Sequence, residues 1–433
     1  MPLDFIDVIF PDEKTFGRAN LRVEIAGKAA NPENLPLEYQ PGSPGASRIS
    51  FASPWPKKEK LDLTVDYVFA APADTGDYMT LAQENFHLGT RGWLPVLLPP
   101  NHALAPFPTR PPKMLYSVRV PNSFTILARG SSAGRKQDSA ESTYHFELNK
   151  DDLAPYVVAG QYATSPESKN SAPAIFWTIQ ALPQNLLASQ DRIAATWGVL
   201  QKNFGAIERR SRPPYIVESS TLRPQQGDAS GSAFAAFPGG VLANSPALGI
   251  DSTAFASSVE RELARTWFGD ALDPAPAAAV ALGEGLPAYA SIVIDEARGG
   301  DSARRKRILD LLNAYDDARK QSKVPEKSVV ATTQTDPPEQ RRLADAKAPL
   351  LFADLEDTCG PTPVRAGLAQ AIQFLRGKEV SVNDIRAAIE YTTGKNLAEP
   401  FRVWLYNPGI PSSFRTRYAQ AAGAGQEKIE KGN

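Results

Sequence analysis

The chain has 433 residues, with 47 Lys and Arg against 48 Asp and Glu, and 42% of its residues are hydrophobic. This length and apolar content exclude a disordered chain or a small disulfide-stapled domain and predict two or three globular domains. A formal net charge of −1 gives no bulk attraction to nucleic acid or anionic lipid, so neither is an expected partner. Because Cys359 is the only cysteine, an internal disulfide and a Cys-x-x-Cys metal site are impossible.

No membrane-spanning or export segment is predicted. Proline and acidic residues interrupt each apolar stretch before it reaches the roughly 20 residues needed to cross a bilayer. Residues 1–7 lack the basic start and apolar middle of a secretory signal. The expected location is cytoplasmic if no signal has been removed, and periplasmic or secreted if one was trimmed. The sequence leaves the oligomeric state open.

Alternating apolar residues predict β-strands in the first part of the chain. The clearest run is 61–69, where every second residue is apolar, so that one face of the strand can be buried. The same period of two occurs at 21–25 and 144–148. We therefore predict an N-terminal β domain over residues 1–171.

After about residue 171 the apolar spacing becomes helical. Apolar residues recur every three or four positions at 193–204, 255–267, 308–315 and 364–375. Helices are expected to begin near Gly285 and Ser302, and Ser381 with Asp384 can cap a further helix.

These patterns predict a second domain over residues 172–412. A lobe that contains β structure runs to about residue 320, with a strand at 215–218. The polar stretch 320–345 carries three prolines and is predicted to be an extended loop. A helical lobe is predicted over 346–412, followed by a tail over 413–433.

Other motifs predict no functional site. Gly130–Gly134 matches the G-x-S-x-G pattern of hydrolases, but a polar run into a strand follows it where that motif requires a helix. The basic run Arg304–Arg307 is typical of the solvated face of a helix. The histidines are His87, His102 and His145; they include no helical pair that could chelate a metal, and none follows residue 145.

Two segments, Val259–Asp270 and Leu282–Tyr289, carry the most informative pattern. They read V-E-R-E-L-A-R-T-W-F-G-D and L-G-E-G-L-P-A-Y, and the 18 residues 266–283 separate Arg265 from Glu284. In this order and spacing they resemble the gluzincin zinc peptidases of the membrane alanyl aminopeptidase family, whose hallmark reads H-E-L-A-H-x-W-F-G and later x-E-G-x-A-x-Y. In that family the two histidines and the later glutamate hold zinc, and the first glutamate is the general base.

Arginine stands at both histidine positions of this pattern. The resemblance places Arg261, Arg265 and Glu284 at the zinc-ligand positions and Glu262 at the general-base position. Residues at i and i+4 share a helix face, so both guanidinium groups are expected to point to the metal position. A guanidinium is always protonated and has no lone pair for a cation. Zinc is thus the cofactor that the resemblance implies, whereas the substitutions predict that this chain binds none.

A third segment resembles the substrate-binding strand of the same family. Residues 237–244 are similar to its G-x-M-E-N segment, an edge strand that pairs with the substrate backbone and whose glutamate grips the free amino group of the peptide. The resemblance places Gly239, Gly240, Ala243 and Asn244 at the substrate cleft, with Ala243 in place of the glutamate.

Further matches extend the resemblance from about residue 60 to 411. Residues 93–95, 118–121 and 156–160 resemble the β domain of the family, and 401–411 resemble the end of its catalytic domain. Asp345–Ala348 resembles a short x-K-A sequence that the transition-state tyrosine of the family precedes, and the resemblance thus places Asp345 at the tyrosine position. The resemblance implies an α+β fold, in which an N-terminal antiparallel β domain precedes a thermolysin-like α/β domain with a helical lobe.

Several functions remain open at this point. The first hypothesis is a catalytically inactive, metal-free homologue with a cleft that binds a peptide or protein. In it Arg261 and Arg265 pair with Glu262 and Glu284, so that an ion-pair cluster fills the zinc cavity. The second is an active peptidase or hydrolase, which uses displaced metal ligands or Glu262 and Glu284 as an acid–base pair. The third is a purely structural role in an assembly.

Overall fold

The computed structural model describes much of the N-terminal part and most of the C-terminal part of the chain. Trp93, Leu94, Pro95 and His102 lie outside the described residues. The described residues are 3–9, 18–34, 46–56, 63–69, 79–81, 84–89, 96–98, 114–148, 155–165, 174–179, 184–207, 214–220, 222, 233–237, 239–333 and 336–419.

The N-terminal domain is built of antiparallel β-sheets, as predicted. Its strands pair in the orders β4-β5-β1-β9, β3-β2-β6, β10-β13-β12 and β11-β14-β8-β7. The alternating sequence gives alternating burial, as along β10, where one side of the strand packs inward. The strands are β1 (Leu3–Ile9), β2 (Arg18–Ile25), β3 (Lys28–Ala30), β4 (Glu33–Asn34), β5 (Ala46–Trp55), β6 (Leu63–Phe69), β7 (Met79–Leu81), β8 (Asn85–Leu88), β9 (Val96–Leu98), β10 (Met114–Pro121), β11 (Thr125–Ala128), β12 (Ser131–Gln137), β13 (Glu141–Leu148) and β14 (Val157–Gly160).

The second domain contains a mixed sheet and the long helices. The sheet order is β15-β16-β17-β19-β18, in which β16, β17 and β19 run parallel and β15 and β18 are antiparallel to their neighbours. These strands are β15 (Ala163–Thr164), β16 (Ile175–Thr178), β17 (Tyr215–Ser219), β18 (Phe234–Phe237) and β19 (Gly240–Asn244); the short pair is β20 (Asp273–Pro274) and β21 (Glu379–Val380). The helices are α1 (Gln184–Phe204), α2 (Ser252–Arg265), α3 (Gly285–Gln321), α4 (Pro338–Cys359), α5 (Pro361–Leu375), α6 (Val382–Thr393) and α7 (Ala398–Tyr406).

Several local predictions are confirmed. The two helices expected near residues 285 and 302 form α3, which is kinked where Gly300 takes a φ of 68°. Ser381 and Asp384 form a reciprocal capping box at the start of α6. The G-x-S-x-G segment enters strand β12, so Ser132 is not followed by the helix that a hydrolase nucleophile requires.

Three predicted boundaries are wrong. The loop predicted over 320–345 ends where α4 begins at Pro338, because proline fits the first turn of a helix and does not break it there. Strand β15 lies before residue 171 yet pairs with β16 of the second domain. The start of the predicted tail is helical over 412–419 and buries Phe414 and Tyr418.

The predicted solvated face at Arg304–Arg307 is also partly wrong. Arg304 is buried and donates to Asp357 Oδ1 at 2.8 Å and to the Tyr418 hydroxyl at 3.1 Å. Charge and apolar contacts therefore fix the helix 412–419 to α3 and α4.

The main hydrophobic core lies between the mixed sheet and the helices, and a second cluster joins the two domains. The second cluster combines Leu127, Tyr156 and Val158 of the N-terminal domain with buried residues of the mixed sheet. Among the described residues, one helical stretch, Pro276–Gln321, is long and apolar enough to cross a membrane. In its apolar 18-residue section 67% is buried in the protein, which is typical of a core helix.

Candidate functional site

Helix α2 and the segment before α3 form the centre of the candidate site. Asp251 caps α2 by accepting from Thr253 N–H and Ala254 N–H. Phe255, Val259 and Leu263 are fully buried on the apolar face of this helix. Of the charged residues between them, Arg261 is exposed, whereas Glu260 and Glu262 are buried and ion-paired. Arg265 ends α2, and Glu284 ends a π-helical segment, Ala279–Glu284. A second π-helical segment, Thr266–Ala271, follows Arg265 directly.

Arg265 is the hub of an ion-pair cluster. Its guanidinium grips Glu284 with both terminal nitrogens: Nη1 lies 3.1 Å from Oε1 and Nη2 lies 2.5 Å from Oε2. The Nε atom lies 3.2 Å from Glu262 Oε2, and Nη1 also donates to the carbonyl oxygen of Gly283 at 3.3 Å. One cation thus joins two carboxylates on different elements in the forked geometry that suits arginine.

Charge balance holds Arg265 in its ionised form. Burial opposes that charge, but the carboxylates of Glu262 and Glu284 outweigh burial and raise the pKa of Arg265 above its ordinary value. Asp345, on α4, adds to the same rise. Asp345 was predicted at the end of a loop; it lies inside a helix but is close enough to act on this cluster.

The two arginines are not equivalent, although the sequence predicts that they face the same position. The Arg261 side chain is 44% exposed, and its Nε lies 3.8 Å from Glu262 Oε1, which is too long for a hydrogen bond. The Arg265 side chain is 30% exposed and makes close contacts to both glutamates. Arg261 therefore lies at the rim of the cluster and Arg265 at its centre.

Strand β19 holds the residues predicted to line a substrate cleft. It is not an edge strand as predicted, because β17 and β18 pair with it on its two sides. The chain reverses at Gly239, with a φ of 91°, so β18 covers the edge that would otherwise be free. Ala243 is fully buried, and the Asn244 side chain accepts from Ala247 N–H at 2.9 Å to cap the next turn.

Gly240 is expected to tolerate no side chain. A Cβ atom there would lie 2.1 Å from the carbonyl oxygen of Tyr215 and 2.7 Å from the Phe237 ring. We predict that Gly240→Ala lowers the free energy of unfolding by about 1–3 kcal/mol, because backbone in the middle of a sheet must shift. Urea denaturation followed by circular dichroism measures this loss. Gly249→Ala is the control, since a Cβ atom at Gly249 meets no atom within 4 Å.

Sequence reasoning missed Glu260, the residue before Arg261. Its buried carboxylate accepts from Arg192 Nε at 2.7 Å and from Arg298 Nη1 at 2.8 Å, and Thr196 also donates to it. This contact joins α2 to α1 and α3 and so fixes the helix that carries the cluster. No local pattern predicts it, because its partners are distant in the chain.

Comparison with solved structures identifies the fold. The M1 zinc metallopeptidase of Deinococcus radiodurans aligns over 95% of this chain and 87% of its own, with a TM-score of 0.63 and 17% identity. The chain has the fold of the M1 zinc metallopeptidases. Yeast LTA4 hydrolase matches with a TM-score of 0.64 and 14% identity, over 94% of this chain and 63% of its own. Legionella pneumophila aminopeptidase A matches with a TM-score of 0.64 and 12% identity, over 93% of this chain and 45% of its own.

The N-terminal antiparallel sheets and the helical C-terminal region match the domain architecture of the M1 fold. No protein-family model matches the chain, and no curated protein matches its sequence. One of the structures with this fold is a variant of the Deinococcus radiodurans peptidase bound to the substrate Tyr-Ser-Ala.

The side chains at this site do not fit a zinc ion as they are arranged. Both carboxylates, Glu262 and Glu284, are engaged by Arg265, whose protonated guanidinium offers no lone pair and would repel a cation. Within the described part of the chain, no group of three or more His, Cys, Asp or Glu side chains is placed to hold a metal ion.

Proposed function

We propose that this protein is a metal-free, catalytically inactive relative of the M1 aminopeptidases that binds a peptide or protein in the cleft of that fold. The observation that carries the proposal is the Arg265 guanidinium between Glu262 and Glu284. A positive side chain stands where the resemblance expects a zinc ligand. The cluster keeps both carboxylates paired without a metal.

Loss of catalysis follows from the chemistry of Glu262 and its contact with Arg265. In a zinc peptidase the metal lowers the pKa of bound water and polarises the substrate carbonyl. Glu262 alone could act only as a general base, an effect of about 10²–10⁴-fold. Its Oε2 atom is already in contact with Arg265 Nε at 3.2 Å, so the carboxylate is poorly placed to accept a proton from water.

The alternative is an enzyme that uses displaced metal ligands or Glu262 and Glu284 as an acid–base pair. An acid–base pair needs two carboxyl groups that are free to exchange protons with a substrate, whereas the Arg265 guanidinium contacts both of these carboxyl groups. The contacts of Arg265 with both groups therefore favour the inactive protein.

An assay on chromogenic amino-acid amides tests catalysis. We expect no turnover with or without added zinc. Turnover that disappears in Glu262→Gln would overturn the proposal and favour the alternative. Trace activity that persists unchanged in Glu262→Gln would point to a contaminating peptidase.

Placing histidine at positions 261 and 265 tests whether the two arginines prevent zinc binding. We expect elemental analysis to find much less than one zinc per chain in the wild type and about one in the double variant Arg261→His, Arg265→His, because two imidazoles and Glu284 complete a zinc ligand set. Arg402→His, on the exposed pair with Glu399, is the control and should gain none. Stoichiometric zinc in the wild type would contradict the proposal.

Calorimetry with the peptide Tyr-Ser-Ala tests the binding role. We expect saturable heat of binding in the wild type, since the chain has the M1 fold and a peptidase variant of that fold binds this peptide. Absence of binding for this peptide and for a mixed peptide library would favour a structural role in an assembly.

A further inference from the structure

The inner face of strand β8 carries a buried histidine. His87 is 2% exposed and lies on a strand between β14 and β7. Its register partners are Val158 on β14 and Thr80 on β7, and neither titrates near neutral pH. Glu84, just before the strand, is exposed. The register partners of His87 on the adjacent strands therefore carry no negative charge that could stabilise a protonated imidazole ring.

This face of β8 is also where the N-terminal domain meets the second domain. The His87 ring lies 6.1 Å from the ring of Phe237 on β18, measured between centroids. Two residues earlier, Asn85 Nδ2 donates to Ser220 Oγ at 3.1 Å, just after β17. Both inward side chains of β8 thus contact the mixed sheet.

The charged and titratable groups around this contact are already engaged. Phe237 also packs against Tyr156 at 5.6 Å, and the Arg129 guanidinium lies 5.2 Å from the centre of the Tyr156 ring. On β17, Glu218 accepts from Ile179 N–H at 2.7 Å. Among the described residues, neither ring nitrogen of His87 has a hydrogen-bond partner. Such a site accommodates a neutral ring far better than an imidazolium.

We propose that His87 is an acid-sensitive lock between the two domains: the neutral ring allows β8 to dock on β17 and β18, and protonation of the ring weakens this docking. The lock is distinct from the Arg265 cluster and does not depend on the function proposed for it. Its trigger is proton concentration alone.

The direction and size of the effect follow from linkage. Burial lowers the pKa of His87 from 6.5 to about 4. Because the docked form binds the proton more weakly, docking is fully favoured above pH 6.5 and is weakened as the pH falls from 6.5 towards 4. These two pKa values imply a rise of about 30-fold in the equilibrium constant for opening between pH 8 and pH 5.

Hydrogen exchange of the full chain tests the lock. The exchange rates are first corrected for the intrinsic pH dependence of exchange. We then expect the opening constant of amides in β8 and β18 to rise about 30-fold from pH 8 to pH 5. The opening constants of amides in the core of α4 should change much less. In His87→Phe and His87→Leu the rise should shrink to less than about threefold, since no group remains there to take the proton.

His145 provides the matched control. It lies on β13 in a partly exposed position, with Nδ1 2.7 Å from Ser117 Oγ, and His145→Gln should keep the wild-type pH response. A wild type whose opening constant stays constant from pH 8 to pH 5 would overturn the proposal, whatever the variants do. An equal rise in the His87 variants would overturn it as well.

Discussion

Replacing Glu356 with leucine is expected to lower the free energy of unfolding by about 3–5 kcal/mol, the cost of breaking a buried ion pair by removing one partner. The Glu356 side chain is 1% exposed. It accepts from the Tyr289 hydroxyl at 2.6 Å and from Arg365 Nε at 2.6 Å, and Arg304 Nη2 lies 3.4 Å from its Oε2. Leucine would leave two guanidinium groups in the core without this counter-charge.

Urea denaturation measured by tryptophan fluorescence checks this expectation. Glu399→Leu is the control, because the Glu399–Arg402 pair is on the surface and its removal should leave the midpoint unchanged. Equal midpoints for Glu356→Leu and the wild type would show that the buried carboxylate contributes nothing to stability.

This buried network also explains why the end of the chain was mispredicted. Arg304 contacts Glu356, Asp357 and Tyr418, so one side chain of α3 connects α4 to the helix 412–419. The sequence of 413–433 is polar and has little apolar period, which predicts a tail. The distant partners that hold its first part in place leave no local signal.

Regular periodicity predicts most elements of this fold. The apolar residues recur with a period of two at 63–69 and with a helical period at 193–204. In each segment this spacing alone indicates which face packs inward, so no distant residue is needed to predict the element. The position of β19 inside the sheet depends instead on β18, which pairs with it through a tight reversal at Gly239. Pairing partners are a property of the whole fold, so the sequence of residues 237–244 does not reveal them.

The candidate site was predicted in composition but not in detail. The i,i+4 spacing of Arg261 and Arg265 and the interval to Glu284 correctly bring these residues and Glu262 together. The different exposure of the two arginines was not predictable from their spacing. Arg265 adjoins the π-helical segment, whereas Arg261 lies one turn earlier on α2 and is more exposed.

Replacing Arg265 with methionine tests how much of the site depends on that one cation. Glu262, with 7% of its side chain exposed, and Glu284 would lose their shared counter-charge. We expect a loss of about 2–3 kcal/mol, below the roughly 3–5 kcal/mol of a fully buried pair because water reaches part of the Arg265 side chain. Urea denaturation at pH 7 gives this value.

Arg261→Met is the matched control, since it removes the same charge from the same helix face at the 44% exposed position. Its effect should be small, as for other surface ion pairs. The raised pKa of Arg265 means that its contribution is present at every pH below the ordinary arginine value, so the difference between the two variants should persist from pH 5 to pH 9 while the carboxylates stay ionised. Equal losses for the two variants would contradict the assignment of Arg265 as the centre of the cluster. A larger loss for Arg265→Met would mean that the Arg265 cation holds α2 and the start of α3 together.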